Sequence, residues 1–401
     1  MRNTTRAWLI TLAFIACGLA RVSPATAAEV GVTDTTIKLG MITEVTGPFT
    51  LFGRGVRDGW TLYMEEVNAR GGVHGRKIEM VLGDQQSSGA KAIAATKRLI
   101  EVDQVFALIG GGITPATVPI IPVVNEAKIP FVVTITSNPK LTTPLSRYIF
   151  RPFNAPDDVN AHAMVEFALQ HKGVKKIAIL NGADEYGKGG ADELVVRLKQ
   201  HQLAPVAQET FNIGDTNFNS QLLRVKAAAP QAVLIYGFTK EVAIILRQAK
   251  ELGLDTAVVL SAGTGGALFV ELAKEQAVGA YNVWYAGPVL DAPTTPVTQA
   301  FWTKFRNRFP GYPGGVPNLI DITSYAGAMV FEEALKRAGR DLTREKFIAA
   351  MESIKDFHTG GLTNPASFSP KEHQGSKTLR VYQIQAGGKT EFTNFVYTPD
   401  R

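Results

Sequence analysis

The stretch from Thr36 to Asp84, TIKLGMITEVTGPFTLFGRGVRDGWTLYMEEVNARGGVHGRKIEMVLGD, constrains the fold more than any other. Ile37, Leu39 and Met41 alternate toward one face, as in a strand. Thr46-Gly47-Pro48 breaks that pattern. Val56, Trp60, Tyr63 and Val67 then recur at helical spacing, and Gly71-Gly72 stops the helix before a second strand begins. A strand, a helix and a strand in this order require a parallel pair with a crossover helix. Open parallel sheets place their ligands beyond the carboxyl ends of the strands. Here that end carries TGPFTLFG, a loop with two phenylalanines between glycines. The stretch therefore points to a small-molecule site rather than a nucleic-acid surface.

Strands and helices go on alternating. The pattern predicts strands at Gln104–Gly110, Ile129–Ile135, Lys175–Asn181, Val206–Phe211, Ala232–Gly237 and Ala257–Ser261, with a further extended run at Tyr148–Phe153. Between them it predicts helices over Thr114–Ala127, from Asp157 to about His171, from Gly190, from Asn219 and over Lys240–Leu252. This is a doubly wound α/β pattern, given twice, with a turn-rich boundary near Pro152–Pro156. After Tyr281–Ala286 the pattern changes to longer helices near Thr298–Phe309, Asp321–Gly339 and Thr343–Ile354. From His358 it becomes turns and then a hairpin with Gly387-Gly388. A late return to strand after pure helix implies that the chain goes back to an earlier lobe, and hence several passages between lobes.

The chain opens with Arg2 and Arg6, an apolar run from Ala7 to Ala20, and the small residues Ala25-Thr26-Ala27-Ala28. This is the pattern of a secretory signal cleaved after Ala27 or Ala28, and a periplasmic location is expected. The run is short for a membrane span, which takes roughly 20 apolar residues. The one cysteine, Cys17, falls inside it, and Phe14-Ile15-Ala16 before it fits poorly with lipid attachment. A mature chain cut there has no disulfide and no thiol nucleophile.

With 45% hydrophobic and 19% charged residues, 401 residues suffice for two domains. The formal net charge is +6, and residues 1–28 hold three arginines and no acids, leaving +3 on the remainder. Basic residues are interleaved with acids, so no nucleic-acid stripe is formed. Enzyme and metal patterns are also missing. The six histidines show no ligand spacing, there is no G-x-S-x-G elbow, and the acidic pairs Glu65-Glu66, Asp157-Asp158 and Glu332-Glu333 are adjacent in sequence, so on a helix they point apart. No catalytic residue, cofactor or metal is expected.

Three loops carry the candidate site. IGGGITPATVPI sets glycines between a strand and a helix. Gly112 would let backbone approach a ligand, Thr114 stands at the N-cap position, and Pro115 suits the first turn. Free N–H groups there attract an anion such as a carboxylate. Thr136 and Ser137 follow the apolar strand IPFVV and put hydroxyls at its carboxyl end. ILNGADEYGKGG has the G-x-x-x-x-G-K spacing of a phosphate loop, but Gly189 stands where a Ser or Thr is needed, and Asp184 and Glu185 would repel phosphate.

On these marks, and on VNARGGVHGRKIEMVLGD and the tail FSPKEHQGS, nearly the whole mature chain resembles the extracytoplasmic solute-binding proteins of ABC importers. The leucine/isoleucine/valine-binding type is the nearest subfamily. The resemblance implies a type I periplasmic binding fold: two doubly wound parallel-sheet lobes joined by a three-segment hinge. Lobe 1 would comprise 29–153 plus 287–359, and lobe 2 154–286 plus 360–401. The passages would fall near Phe153–Pro156, Trp284–Gly287 and His358–Leu362. It also implies ligand contacts at Thr114, at Ser137, at the Ile135 carbonyl and at Tyr186, whose ring would give apolar contact and whose hydroxyl would give a bond. Phe52 would line the first-lobe wall, with Phe49 and Phe238 as further aromatic candidates. Where amino-acid binders carry an acid for the ligand ammonium, this chain has Gly263 and Thr264. That puts a standard α-amino acid in doubt and suits an aromatic or other non-amino acid, or an amide. Asp157 and Asp184 are the substitutes a second lobe could offer. The expected partners are a small-molecule ligand and an ABC transporter membrane permease. A monomer is expected. A ligand-sensing subunit and a hydrolase on the same fold are the competing functions.

Overall fold

The computed structural model describes residues 29–264, 267–285, 293–312 and 316–399. The signal-like segment with Cys17 lies outside the described residues, as does the end of the expected second passage beyond Tyr285.

Strands β1 (Thr36–Thr43), β2 (Lys77–Asp84), β3 (Ala107–Gly110), β4 (Phe131–Val133) and β5 (Ile149–Phe150) form one sheet, in the order β2-β1-β3-β4-β5. All its pairings are parallel. Its crossover helices are α1 (Thr50–Ala69), α2 (Gly89–Glu101), α3 (Thr114–Thr117) and α4 (Ile121–Glu126). The one helix expected over Thr114–Ala127 is thus two, with a 3-10 turn at Val118–Ile120 between them. Pro119 and Pro122 withhold the N–H groups a continuous helix would need.

The second sheet begins after α5 (Asp157–Glu166), whose last part, Phe167–His171, is wound as a π-helix. It contains β6 (Ile177–Gly182), β7 (Ala207–Phe211), β8 (Ala232–Tyr236), β9 (Ala257–Leu260) and β10 (Tyr281–Trp284), connected by α6 (Glu185–Gln200), α7 (Asn219–Ala227), α8 (Thr239–Glu251) and α9 (Ala267–Ala273). The parallel part reads β7-β6-β8-β9-β10, the order of the first sheet over again. Helix α6 starts five residues before the expected Gly190, because the Asp184 carboxylate caps it by accepting from Tyr186 N–H at 2.9 Å and Gly187 N–H at 3.3 Å. Its glycine-rich first turns serve close packing: a side chain at Gly190 would meet the Tyr236 ring at 2.2 Å.

Helices α10 (Pro296–Arg308), α11 (Leu319–Ala338) and α12 (Arg344–Glu352) then return to the first sheet. α11 packs along α1, with Trp60 against Phe331, Tyr63 against Tyr325, and the Tyr325 hydroxyl donating to Glu66 at 2.9 Å. The hairpin β11 (Leu379–Ile384) and β12 (Thr390–Tyr397) finally extends the second sheet antiparallel from β10, so that sheet is mixed.

The last passage lies later than His358–Leu362. Residues 357–373 stay with first-lobe elements. Gly360 accepts from the Thr295 hydroxyl at 2.7 Å, Phe368 packs on Phe150, and His373 stacks on Phe150 with ring centroids 3.9 Å apart. The glycine-rich turn that suggested a passage closes on itself through the Phe357–Ala366 bridge. The chain crosses after Gln374, which is bridged in parallel to Arg151 of the first passage. The two passages therefore lie side by side. Arg151 is fully buried at their junction and donates to the carbonyls of Thr136 (3.2 Å) and Asn138 (2.9 Å), to the Thr142 hydroxyl (3.1 Å), and to Gln374. One guanidinium thus ties the loop after β4 to the strap between the lobes.

Candidate functional site

The order of each sheet reverses direction once, between β1 and β3 in the first and between β6 and β8 in the second. At both points, loops leaving the carboxyl ends diverge and open a crevice. A cavity lies where the two crevices face one another. It encloses about 70 Å³ and is lined from the first lobe by Phe52, Gly112 to Thr114, Ile135 to Ser137, and Asn318 to Ile320. From the other side come Asn154 of the first passage, Tyr186, Phe238, Gly263 and Tyr285.

Gly112, Thr114, Ile135, Ser137, Tyr186, Phe52, Phe238 and Gly263 therefore meet in one place. Two of the candidates do not reach it. Phe49 backs the wall, with its ring 5.8 Å from Phe52 and 4.9 Å from Phe238. Thr264 is fully buried beneath the floor and donates its hydroxyl to the Gly237 carbonyl at 3.1 Å, so its task is to hold the loop. Asn154, Tyr285 and the N-terminus of α11 line the cavity and were missed by sequence reasoning. Asn154 and Tyr285 both sit in stretches read as passages between lobes, the first within Phe153–Pro156 and the second just after β10 within Trp284–Gly287.

Most of the free donors lie on the first-lobe side. Thr114 is the first residue of α3, so its N–H has no intrahelical acceptor. Neither that N–H nor its hydroxyl has a partner among the described residues, and the same holds for the Ser137 N–H and the Tyr285 hydroxyl. Gly112 is required by what lies behind it: a side chain there would strike the Glu44 carboxyl at 2.1 Å and Gln85 at 2.2 Å. Glu44 accepts from Ile113 N–H at 2.9 Å and so sets the pose of the loop. Burial pushes its carboxyl up to about 7, against the lowering effect of that hydrogen bond.

The second lobe supplies rings. Tyr186 stacks on Phe238 with centroids 5.0 Å apart, and Phe238 reaches across to Phe49 and Phe52. The Tyr186 hydroxyl is already engaged: it accepts from Gly263 N–H at 3.0 Å and donates to Ser261 at 3.1 Å. It offers its ring to the cavity, and the expected ligand bond from its hydroxyl is replaced by these two. Asp157 begins α5 behind Ser137, where its N–H donates to the Ser137 carbonyl at 2.9 Å and its carboxylate accepts from the Tyr236 hydroxyl at 2.7 Å. Burial raises this carboxyl to about 6, with Ser137, Tyr236 and Arg151 pulling it down. Asp184 is spent as the cap of α6, where its carboxylate fills the anion position of the phosphate-loop-like segment.

Two lobes of one parallel topology, with a cavity between facing switch points, define a cleft-binding α/β protein. The model of the periplasmic binding protein family matches residues 36–389, and the chain belongs to that family. Among curated relatives it is 25% identical over 304 residues to a leucine-, isoleucine-, valine-, threonine- and alanine-binding protein of Pseudomonas aeruginosa, covering 76% of this chain and 79% of that one. It is 28% identical to an amino acid binding protein of the same organism, with the same coverage. Among solved structures, a leucine binding protein from Thermotoga maritima superposes with a TM-score of 0.79 at 25% identity, covering 91% of this chain and 99% of the other. A branched-chain amino acid transporter substrate binding protein from Streptococcus pneumoniae, in complex with isoleucine, gives 0.78 at 25% identity, covering 90% and 99%.

Proposed function

We propose that the chain is the extracytoplasmic receptor of an ABC importer, exported by the segment 1–28, which captures a compact organic solute between its lobes and presents it to a membrane permease without reacting with it. The observation that carries this reading is the cavity between the two switch points, lined by both aromatic rings and donors that have no partner among the described residues. On a scale where one water takes ~10–15 Å³, the cavity has room for on the order of five to seven water-sized groups. Thr114 N–H and hydroxyl, Ser137 N–H and the Tyr285 hydroxyl suit a carboxylate or amide head. Phe52, Phe238 and the Tyr186 ring suit an apolar tail.

The two adjacent passages at Arg151 and Gln374 are the natural hinge. A solute favours the closed form only through contacts missing when the lobes are apart, and Tyr285 and Phe238 are such contacts.

The test is the double variant Thr114→Val, Tyr285→Phe, which removes both hydroxyls named above. The solute retained by the purified protein is first identified by mass spectrometry. Hydrogen bonds to a charged group contribute about 1.5–3 kcal/mol each. The variant is expected to lose the ligand-induced thermal shift while its ligand-free melting temperature stays near wild type. Unchanged affinity would refute the site.

A further inference from the structure

The head-group end of the cleft, among the described residues, has donors to offer and no anion on its surface. Among the described residues, no Asp, Glu, Lys, Arg or His side chain lines the cavity. Two buried carboxyls stand just behind its walls. Asp157 gives one oxygen to the Tyr236 hydroxyl, and its other oxygen is sealed from the cavity surface. Glu44 gives one oxygen to Ile113 N–H, and its other oxygen is sealed likewise. Neither reaches the cavity surface.

The neutral acceptors that remain among the described residues are the Thr114 and Tyr285 hydroxyls and the Asn154 side-chain oxygen, none of them charged, and three others are engaged. The Ile135 carbonyl takes the Asn154 amide, the Ser137 carbonyl takes the Asp157 N–H, and the Tyr186 hydroxyl takes the Gly263 N–H. No side chain can project from position 263 to supply one. A first side-chain carbon there would stand 2.6 Å from the Tyr186 hydroxyl and 2.9 Å from its ring. The Tyr186 ring occupies the space through which a residue of the loop after β9 would reach a ligand.

We propose that the cleft selects solutes with a carboxylate or amide head and no ammonium group, and that the Tyr186–Gly263 pair determines this selectivity. The proposal rests on the receptor reading above and narrows its substrate class. An ammonium brought in from water would meet no carboxylate on the cavity surface among the described residues, and burying it unpaired is costly. A carboxylate would instead meet free N–H and O–H groups and strengthen them as charge-assisted bonds.

The experiment uses the mature protein, stripped of retained solute by unfolding and refolding, in titration calorimetry at pH 7.5. The probes are matched pairs of 2-amino acids and their des-amino counterparts, from four to nine carbons, aliphatic and aromatic; leucine with 4-methylpentanoate is one such pair. In each pair that binds, the des-amino acid is expected to bind at least tenfold more tightly. The double variant Tyr186→Ala, Gly263→Asp, which frees the space and places a carboxylate there, is expected to narrow or reverse that ratio. Tighter binding of the amino acids by the wild type would overturn the selectivity and leave the receptor reading standing. An unaltered ratio in the double variant would remove the pair from its role. No binding by any pair would count against both.

Discussion

Phe238 is the ring through which the two lobes touch, and Phe238→Ala should open the cleft. Its side chain is 6% exposed and makes three ring contacts: with Phe49 at 4.9 Å, with Phe52 at 5.9 Å and with Tyr186 at 5.0 Å. Only the first two cross the cleft. The third lies within the second lobe and persists whether the lobes are together or apart. An aromatic pair contributes about 0.5–1.5 kcal/mol beyond its area, so the closed form should lose about 1–3 kcal/mol relative to the open one. At a factor of ten per ~1.4 kcal/mol, that is a shift in the closing equilibrium of about 5-fold to 150-fold. Where only the closed form holds solute, the apparent Kd rises by the same factor. Titration calorimetry with the retained solute reads the Kd, and small-angle scattering with and without it reads the closure. The ligand-free melting temperature checks that the second lobe survives the loss of the Tyr186 contact. A Kd within twofold of wild type and an unchanged scattering profile would refute the idea that these rings join the lobes.

Two further outcomes follow from buried charge. Arg151→Met strands the carbonyls of Thr136 and Asn138 and removes the counter-charge from Asp157, which should cost about 3–5 kcal/mol in urea unfolding; a loss under ~1 kcal/mol would contradict the role given to the guanidinium. Burial raises Glu44 from its ordinary value of 4.5 to about 7, so the folded state holds that proton more tightly than the unfolded chain, and this contribution to stability falls as pH rises from about 4.5 to about 7 and is constant above. Glu44→Gln keeps the acceptor for Ile113 N–H and removes the titration, so its melting temperature should exceed wild type at pH 8 and match it near pH 4.5. A wild-type advantage at pH 8 would refute the assignment.

What could be read in the chain was what depends on near neighbours. Alternation marked most strands to within a few residues, and glycine clusters marked the loops at their carboxyl ends, because register and turn conformation are local matters. Thr114, Ser137 and Tyr186 were legible for that reason: each follows directly from a strand end. Asn154, Tyr285 and Asn318 were not. Asn318 caps α11, holding Ile320 N–H at 2.8 Å and Asp321 N–H at 3.1 Å, and nothing local says that this end faces the cleft. Its position comes from the packing of α11 along α1, a contact between segments more than 250 residues apart in sequence. The third passage was misplaced for a related reason. Gly360-Gly361 has the composition of a linker, and the Thr295–Gly360 hydrogen bond together with the packing of Phe368 and His373 on Phe150 keeps that segment in the first lobe.

Gly263 shows how far a local reading goes and where it stops. Its missing side chain is plain in the sequence and is enough to cast doubt on an amino-acid ligand. The cause lies 77 positions away in Tyr186, whose hydroxyl accepts the Gly263 N–H. The two residues specify one another. A larger residue at 263 would displace the ring, and without the ring the Gly263 N–H would lose its acceptor and the cavity much of its apolar wall. Selectivity on this view belongs to the pair, so a single substitution at either position should damage binding, and only a coordinated exchange could redirect it.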